Sequence, residues 1–67
     1  MEKKIYKVGE SIFFPTNKRV EVGYSQGNVG DQIWQQMFNG LLTGNTYTLA
    51  EIKSCATYIH PLTTIEL

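Results

Sequence analysis

Cys55 is the only cysteine of the 67 residues, so no internal disulfide can form and the stapled secreted mini-protein class is excluded. Long apolar runs are missing as well. The longest is Ile12-Phe13-Phe14, far short of the roughly 20 residues that cross a bilayer. No apolar stretch of signal-peptide length follows Met1-Glu2-Lys3-Lys4-Ile5-Tyr6-Lys7, and no lipidation or glycosylation pattern is present. Charge is scarce and balanced: six Lys and Arg against six Asp and Glu, 18% of the chain, with a net charge of zero. That disfavours a disordered, highly charged segment and a strongly electrostatic nucleic-acid binder. The expectation is a soluble cytoplasmic protein with no membrane partner.

What is present is an apolar share of 42% with 12% aromatics, enough for one compact domain spanning 1–67. So short a chain buries a modest core against about 1.5 kcal/mol of conformational entropy per ordered residue. Net stability is therefore a few kcal/mol, and oligomerisation or a partner is expected to add to it. The two ends differ in charge. Residues 1–25 hold five Lys or Arg and three Glu, a net of +2; residues 26–67 hold Lys53 against Asp31, Glu51 and Glu66, a net of −2.

The N-terminal part reads as β-structure. Val20, Val22 and Tyr24 alternate with Arg19, Glu21 and Gly23, the period of a half-buried strand. Pro15-Thr16-Asn17-Lys18 has turn chemistry, which predicts a hairpin with strands near 11–14 and 19–25. Ile5 to Val8 would add a third strand across Gly9-Glu10, glycine suiting the first central position of a type II′ turn. The run Tyr6-Lys7-Val8-Gly9-Glu10-Ser11-Ile12 resembles the opening of small SH3-like barrels, where a Lys-Val-Gly-Asp/Glu turn starts the first strand. That resemblance implies five strands.

The C-terminal part reads instead as helical. After the glycine-rich junction Gly23–Gly30, the residues Ile33, Trp34, Met37, Phe38, Leu41 and Leu42 fall at i, i+1, i+4, i+5, i+8 and i+9. This is the stripe of an amphipathic helix over 31–43, opened by Asp31, and it conflicts with a five-stranded barrel. Thr48-Leu49-Ala50-Glu51 is a capping box. Leu49, Ile52, Cys55, Ala56 and Ile59 then keep helical spacing up to Pro61, which predicts a second helix over 49–59. Residues 62–67 return as an edge strand or begin a third short helix. The predicted fold is thus α+β: an antiparallel hairpin or three-stranded meander over 4–25 under two helices.

Few groups are available for chemistry. Cys55 and His60 are the only thiol and imidazole, and five residues apart on a helix they diverge by about 140°. They meet only if the helix ends early and the chain doubles back; the plainer account is a buried cysteine and a helix-end histidine. One Cys and one His, with isolated acids, make no zinc-type ligand set. Gly27 and Gly30 fit neither G-x-G-x-x-G nor G-x-x-x-x-G-K-[ST]. Neither an enzyme nor a metal or other cofactor is expected.

Two binding readings follow. The first is a non-enzymatic module that docks on a larger protein as an adaptor or inhibitor, of the kind phages and mobile elements often encode. Its candidate contacts are Asn17, Lys18 and Arg19 at the expected hairpin tip, with Trp34, Met37 and Phe38 on the helix stripe. In a chain this small the stripe is more readily its own core than a docking surface, and a homodimer sharing it is an intermediate case. The second comes from Thr48-Leu-Ala-Glu-Ile-Lys-Ser-Cys-Ala-Thr-Tyr-Ile-His-Pro-Leu-Thr-Thr-Ile, which is similar to the helix-turn-helix of bacterial winged-helix regulators. Those often read T-L-A-E-I-A, a short turn, then I-H-P-x-T-V/I. The similarity implies a DNA-binding regulator built on 31–67, with contacts from Lys18, Arg19, His60, Thr63 and Thr64, the first two on a basic wing. Lys3, Lys4 and Lys7 would extend the basic patch. The segment that would be the recognition helix contains no Lys or Arg.

Overall fold

The computed structural model describes residues 4–66. The described residues form five antiparallel strands and one short helix: β1 (Lys4–Val8), β2 (Ser11–Arg19), β3 (Gln32–Phe38), β4 (Leu41–Tyr47), α1 (Leu49–Cys55) and β5 (Leu62–Glu66). The strands make one sheet in the order β4-β3-β2-β1-β5. The first four form a meander, and β5 comes back beside β1. The expected α+β fold with two helices is therefore corrected to a predominantly β-sheet domain.

The largest correction falls on 31–43. No helix forms there: β3 and β4 are a hairpin that pairs Phe38 with Leu41 and Met37 with Leu42. Asn39 and Gly40 turn it with φ of 52° and 81°. A type I′ turn demands positive φ at both central residues, and Asn-Gly is the sequence that supplies it most readily. The apolar pairs Ile33-Trp34 and Met37-Phe38 imitate a helix stripe because a strand with two apolar faces also places large residues next to each other. In β3 one member of each pair points to either side of the sheet.

The N-terminal hairpin is corrected too. Pro15-Thr16-Asn17-Lys18 is not a turn; β2 runs through it, with Pro15 opposite Trp34 and a register irregularity between Pro15 and Arg19. The pairing of β2 with β1 covers Ser11–Phe13. Pro15 thus stands where β2 has outrun that neighbour, beside a bulge, the setting in which a missing N–H is tolerated. The expected strand over 19–25 is a loop beyond Arg19: Val20 still exchanges backbone bonds with Gly30 and Asp31, but Val22 and Tyr24 find no strand to pair with. The tight connection lies instead at Gly9-Glu10, between β1 and β2.

One side of the sheet holds the core, in which Tyr6, Val8, Phe13 and Trp34 surround Ile52 of α1, with Tyr47, Leu49 and Leu62 packed against them. The Tyr6 and Trp34 rings lie 4.9 Å apart and tilted; Phe13 meets Tyr47 edge-on at 5.3 Å. The capping box of Thr48 and Glu51 forms as its sequence predicts. The helix it starts stops at Cys55 rather than 59, since Ala56 is extended at φ −69° and ψ 141°. Thr57 and His60 then close a bend: Thr57 N–H donates to the His60 carbonyl at 3.0 Å, and His60 N–H donates to Thr57 Oγ1 at 2.9 Å. This bend delivers β5 to the free side of β1. Residues 62–66 are therefore strand, the edge-strand alternative, and Leu67 lies outside the described residues. No helix of the described residues is long and apolar enough to cross a membrane.

Candidate functional site

The end of β2 and the loop 20–31 build an open groove. Asn17, Lys18, Arg19, Glu21, Val22 and Tyr24 line it together with Ile33, enclosing a volume of about 590 Å³. Its lining thus combines two cations and an amide with an aromatic ring, an exposed valine and the buried Ile33. The bulge after Pro15 places them there. Thr16 Oγ1 donates to the Ile33 carbonyl at 2.7 Å, and Gln32 Nε2 donates to the Thr16 carbonyl at 3.0 Å. These bonds hold the bulged strand end on β3 where the regular ladder lapses.

Although most of its residues are exposed, the loop is clamped along its length. At its base Val20 N–H donates to the Asp31 carbonyl at 2.8 Å, and Gly30 N–H donates to the Val20 carbonyl at 2.9 Å. The Asp31 carboxylate, expected to cap a helix, instead accepts from Asn28 N–H at 2.7 Å. Arg19 Nη1 donates to the Gly30 carbonyl at 3.3 Å, which steers the guanidinium along the loop. The Tyr24 hydroxyl lies 2.7 Å from Thr46 Oγ1, fastening the middle of the loop to β4.

The far end is stapled to α1. Thr48, fully buried, donates through Oγ1 to the Gln26 carbonyl at 2.6 Å and accepts from Glu51 N–H at 3.3 Å. Ser25 Oγ donates to Glu51 Oε2 at 2.7 Å. Partial burial would raise the Glu51 carboxyl. The bonds from the Ser25 hydroxyl, Thr48 N–H, Ser25 N–H and the Thr48 hydroxyl outweigh it and hold the group below its ordinary 4.5. Helix cap and groove loop are thus one hydrogen-bonded unit, and a loop ordered in advance loses less freedom on binding.

The sequence-derived candidates separate. Asn17, Lys18 and Arg19 come together in the groove. Trp34 does not join them: it is 6% exposed and sits in the core, which corrects its assignment to a docking stripe. Met37 is half-buried on the opposite face, and Phe38, 45% exposed, lines a different depression. The DNA-contact set also comes apart. Thr63 pairs with Lys7 and Thr64 with Tyr6, so the two threonines point to opposite faces of a strand. With 31–43 a hairpin and 62–66 a strand, no helix-turn-helix exists. Lys4 and Lys7 likewise point to opposite sides of β1, and Lys3 lies outside the described residues.

Cys55 and His60 do share a cavity, of about 350 Å³, with Glu10, Ser11 and Phe38 among its lining. The helix ends early and the chain doubles back, the one route by which they were expected to meet. The cysteine is exposed, not buried as the sequence suggested. His60 is held through its backbone, and its ring packs on the β1–β2 turn, where a Cβ on Gly9 would lie 3.2 Å from His60 Cγ. Among the described residues no group of three or more His, Cys, Asp or Glu is placed to hold a metal ion.

Sequence reasoning missed Tyr24 and Val22 as groove walls, having assigned both to a strand. The signal was available in Gly23, Gly27 and Gly30, whose density marks a loop. Compared with known proteins, the chain matches no family model, and neither a curated protein nor a solved structure is significantly similar to it.

Proposed function

We propose that this chain is a small non-enzymatic binding module that docks on a larger protein, as an adaptor or inhibitor, through the groove of Asn17, Lys18, Arg19, Val22 and Tyr24. One observation carries the reading: cationic, aromatic and apolar side chains converge on a loop already fixed by hydrogen bonds to β4 and α1. Tyr and Arg are the residue types that contribute most at protein interfaces, where an apolar centre is rimmed by polar groups. Only two cations are present and Glu21 stands among them, a poor match to a run of phosphates. The fitting occupant is a protein segment with an apolar anchor and an acidic flank. The reading assigns the chain to the reducing cytoplasm, where an exposed Cys55 stays a thiol.

Affinity capture from a lysate of the source cells tests it, run side by side with wild type, Lys18→Glu and Arg19→Glu, before and after nuclease. A protein retained by wild type through nuclease and 200 mM salt, on the order of what dissolves phosphate-driven binding, and lost with both variants, is the expected result. Retention that disappears with nuclease would overturn the reading.

A further inference from the structure

The side of the sheet turned away from α1 has an apolar surface of its own. The strand pairings align Thr63, Lys7, Ile12, Met37 and Leu42 in one row. Beside it Ile65 pairs with Ile5, Phe14 with Gln35, and Gln35 in turn with Thr46. Ile12, Phe14, Met37, Leu42 and Ile65 therefore share a face around Ile5, which is already buried, and Lys7 is the only charge in these rows. Leu42 is 62% exposed. The helix covers none of this, since Ile52 belongs to the cluster on the other side. An antiparallel sheet with one wet face alternates apolar and polar residues along each strand. Here Ile12-Phe13-Phe14, Ile33-Trp34 and Met37-Phe38 make both faces apolar.

We propose that this face receives a second copy of the chain, sheet against sheet, in a two-fold homodimer. Charge selects the occupant. Between Asp31 and Glu51 the chain has no charged residue, so a partner surface of ordinary charge density would leave its own charges unpaired here. A second copy presents the same nearly uncharged rows, and two chains of zero net charge do not repel. Lys7, one strand from the sheet edge, can lay its stem on apolar surface and keep its ammonium at the rim.

Five strands at about 4.8 Å and five residues at about 3.3 Å give a face of about 24 by 17 Å, and two such faces stack about 10 Å apart. That is about 400 Å² per chain, half the roughly 800 Å² per partner of a standard interface, so the association is weak and concentration-dependent. The chain has reason to use it: its large, fully buried apolar side chains are Phe13 and Ile52, and small domains without disulfides commonly gain stability by oligomerising. Ile33 reaches the groove from this same face, but Lys18 and Arg19 lie outside the patch, so the two sites can be tested by separate substitutions.

Sedimentation velocity over micromolar to high micromolar concentration reads the outcome. Wild type is expected to approach twice the 7.6 kDa chain mass as concentration rises. Leu42→Lys and Met37→Lys are expected at the single-chain mass with unchanged far-ultraviolet circular dichroism; the exposure of Leu42 lets that variant fold. Wild type at the single-chain mass throughout would overturn the proposal, as would a dimer that persists in both folded variants. Lys18→Glu should leave the mass unaltered, so a failed groove and a failed dimer are told apart.

Discussion

Thr48 joins three parts of the molecule through one hydroxyl and one amide. It starts α1, fixes Gln26 of the groove loop, and positions Glu51 to hold Ser25. Gly27 is next to it at φ 109°, and a Cβ there would lie 2.8 Å from Thr48 Cγ2 and 2.9 Å from Oγ1. Because Thr48 is fully buried, it has nowhere to retreat. Gly27→Ala should cost about 1–3 kcal/mol, backbone strain alone being of that order. At about 4–8 °C per kcal/mol in a domain this size, a thermal melt will register it; an unchanged midpoint would mean that the loop is not packed on the cap.

Glu51 adds a pH signature. Its folded-state pKa is depressed, so its contribution is present above the ordinary carboxylate value and is lost as pH falls through the lower folded value. The stability gap between wild type and Glu51→Gln should therefore narrow as pH drops from about 5 to about 3. The group is solvent-screened, so the gap will not exceed about 1 kcal/mol. A gap that widens on acidification would contradict the assignment.

At the scale of elements, the hairpin β3–β4 gives a test with opposite signs for two folds. In a helix over 31–43, Gly40→Ala would stabilise by about 1 kcal/mol. In the observed turn, with Gly40 at φ 81°, it should destabilise by about 1–2 kcal/mol, read from a chemical denaturation midpoint.

The same hairpin explains what could be read from the residues. The capping box at Thr48 and the short turn at Gly9-Glu10 were legible because each is a local pattern with a local cause, whereas 62–66 stood open between strand and helix because its pairing with β1 is long-range. The span 31–43 was not, because two-faced burial in a sheet and one-faced burial on a helix both bring large residues together at i and i+1. Only Asn39-Gly40 distinguishes them. The fate of 19–25 was hidden for a different reason: alternation specifies a strand only where another strand is available to pair. Of the site, Asn17, Lys18 and Arg19 were accessible as a polar cluster, whereas Trp34 stood between core and docking stripe because its burial depends on Tyr6 and Ile52, remote in sequence.

For the whole molecule, the sheet separates three surfaces: a core closed by α1, an apolar face suited to a second copy, and a groove suited to a partner. A dimer would present two grooves, and paired engagement raises apparent affinity without any new contact. Lys18→Glu with Arg19→Glu should abolish partner capture while leaving the melting temperature within a few degrees of wild type, since exposed substitutions usually shift stability by no more than about 0.5 kcal/mol. A large loss of stability would instead make the Arg19 bond to Gly30 a structural one.

The central claim is that the partner is a protein, and native mass spectrometry of the nuclease-treated captured assembly addresses it most directly. The account predicts a defined stoichiometric mass of this chain with at least one larger polypeptide, absent when Lys18→Glu is the bait. A mass of the chain alone, or of the chain with nuclease-protected nucleic acid, would contradict it.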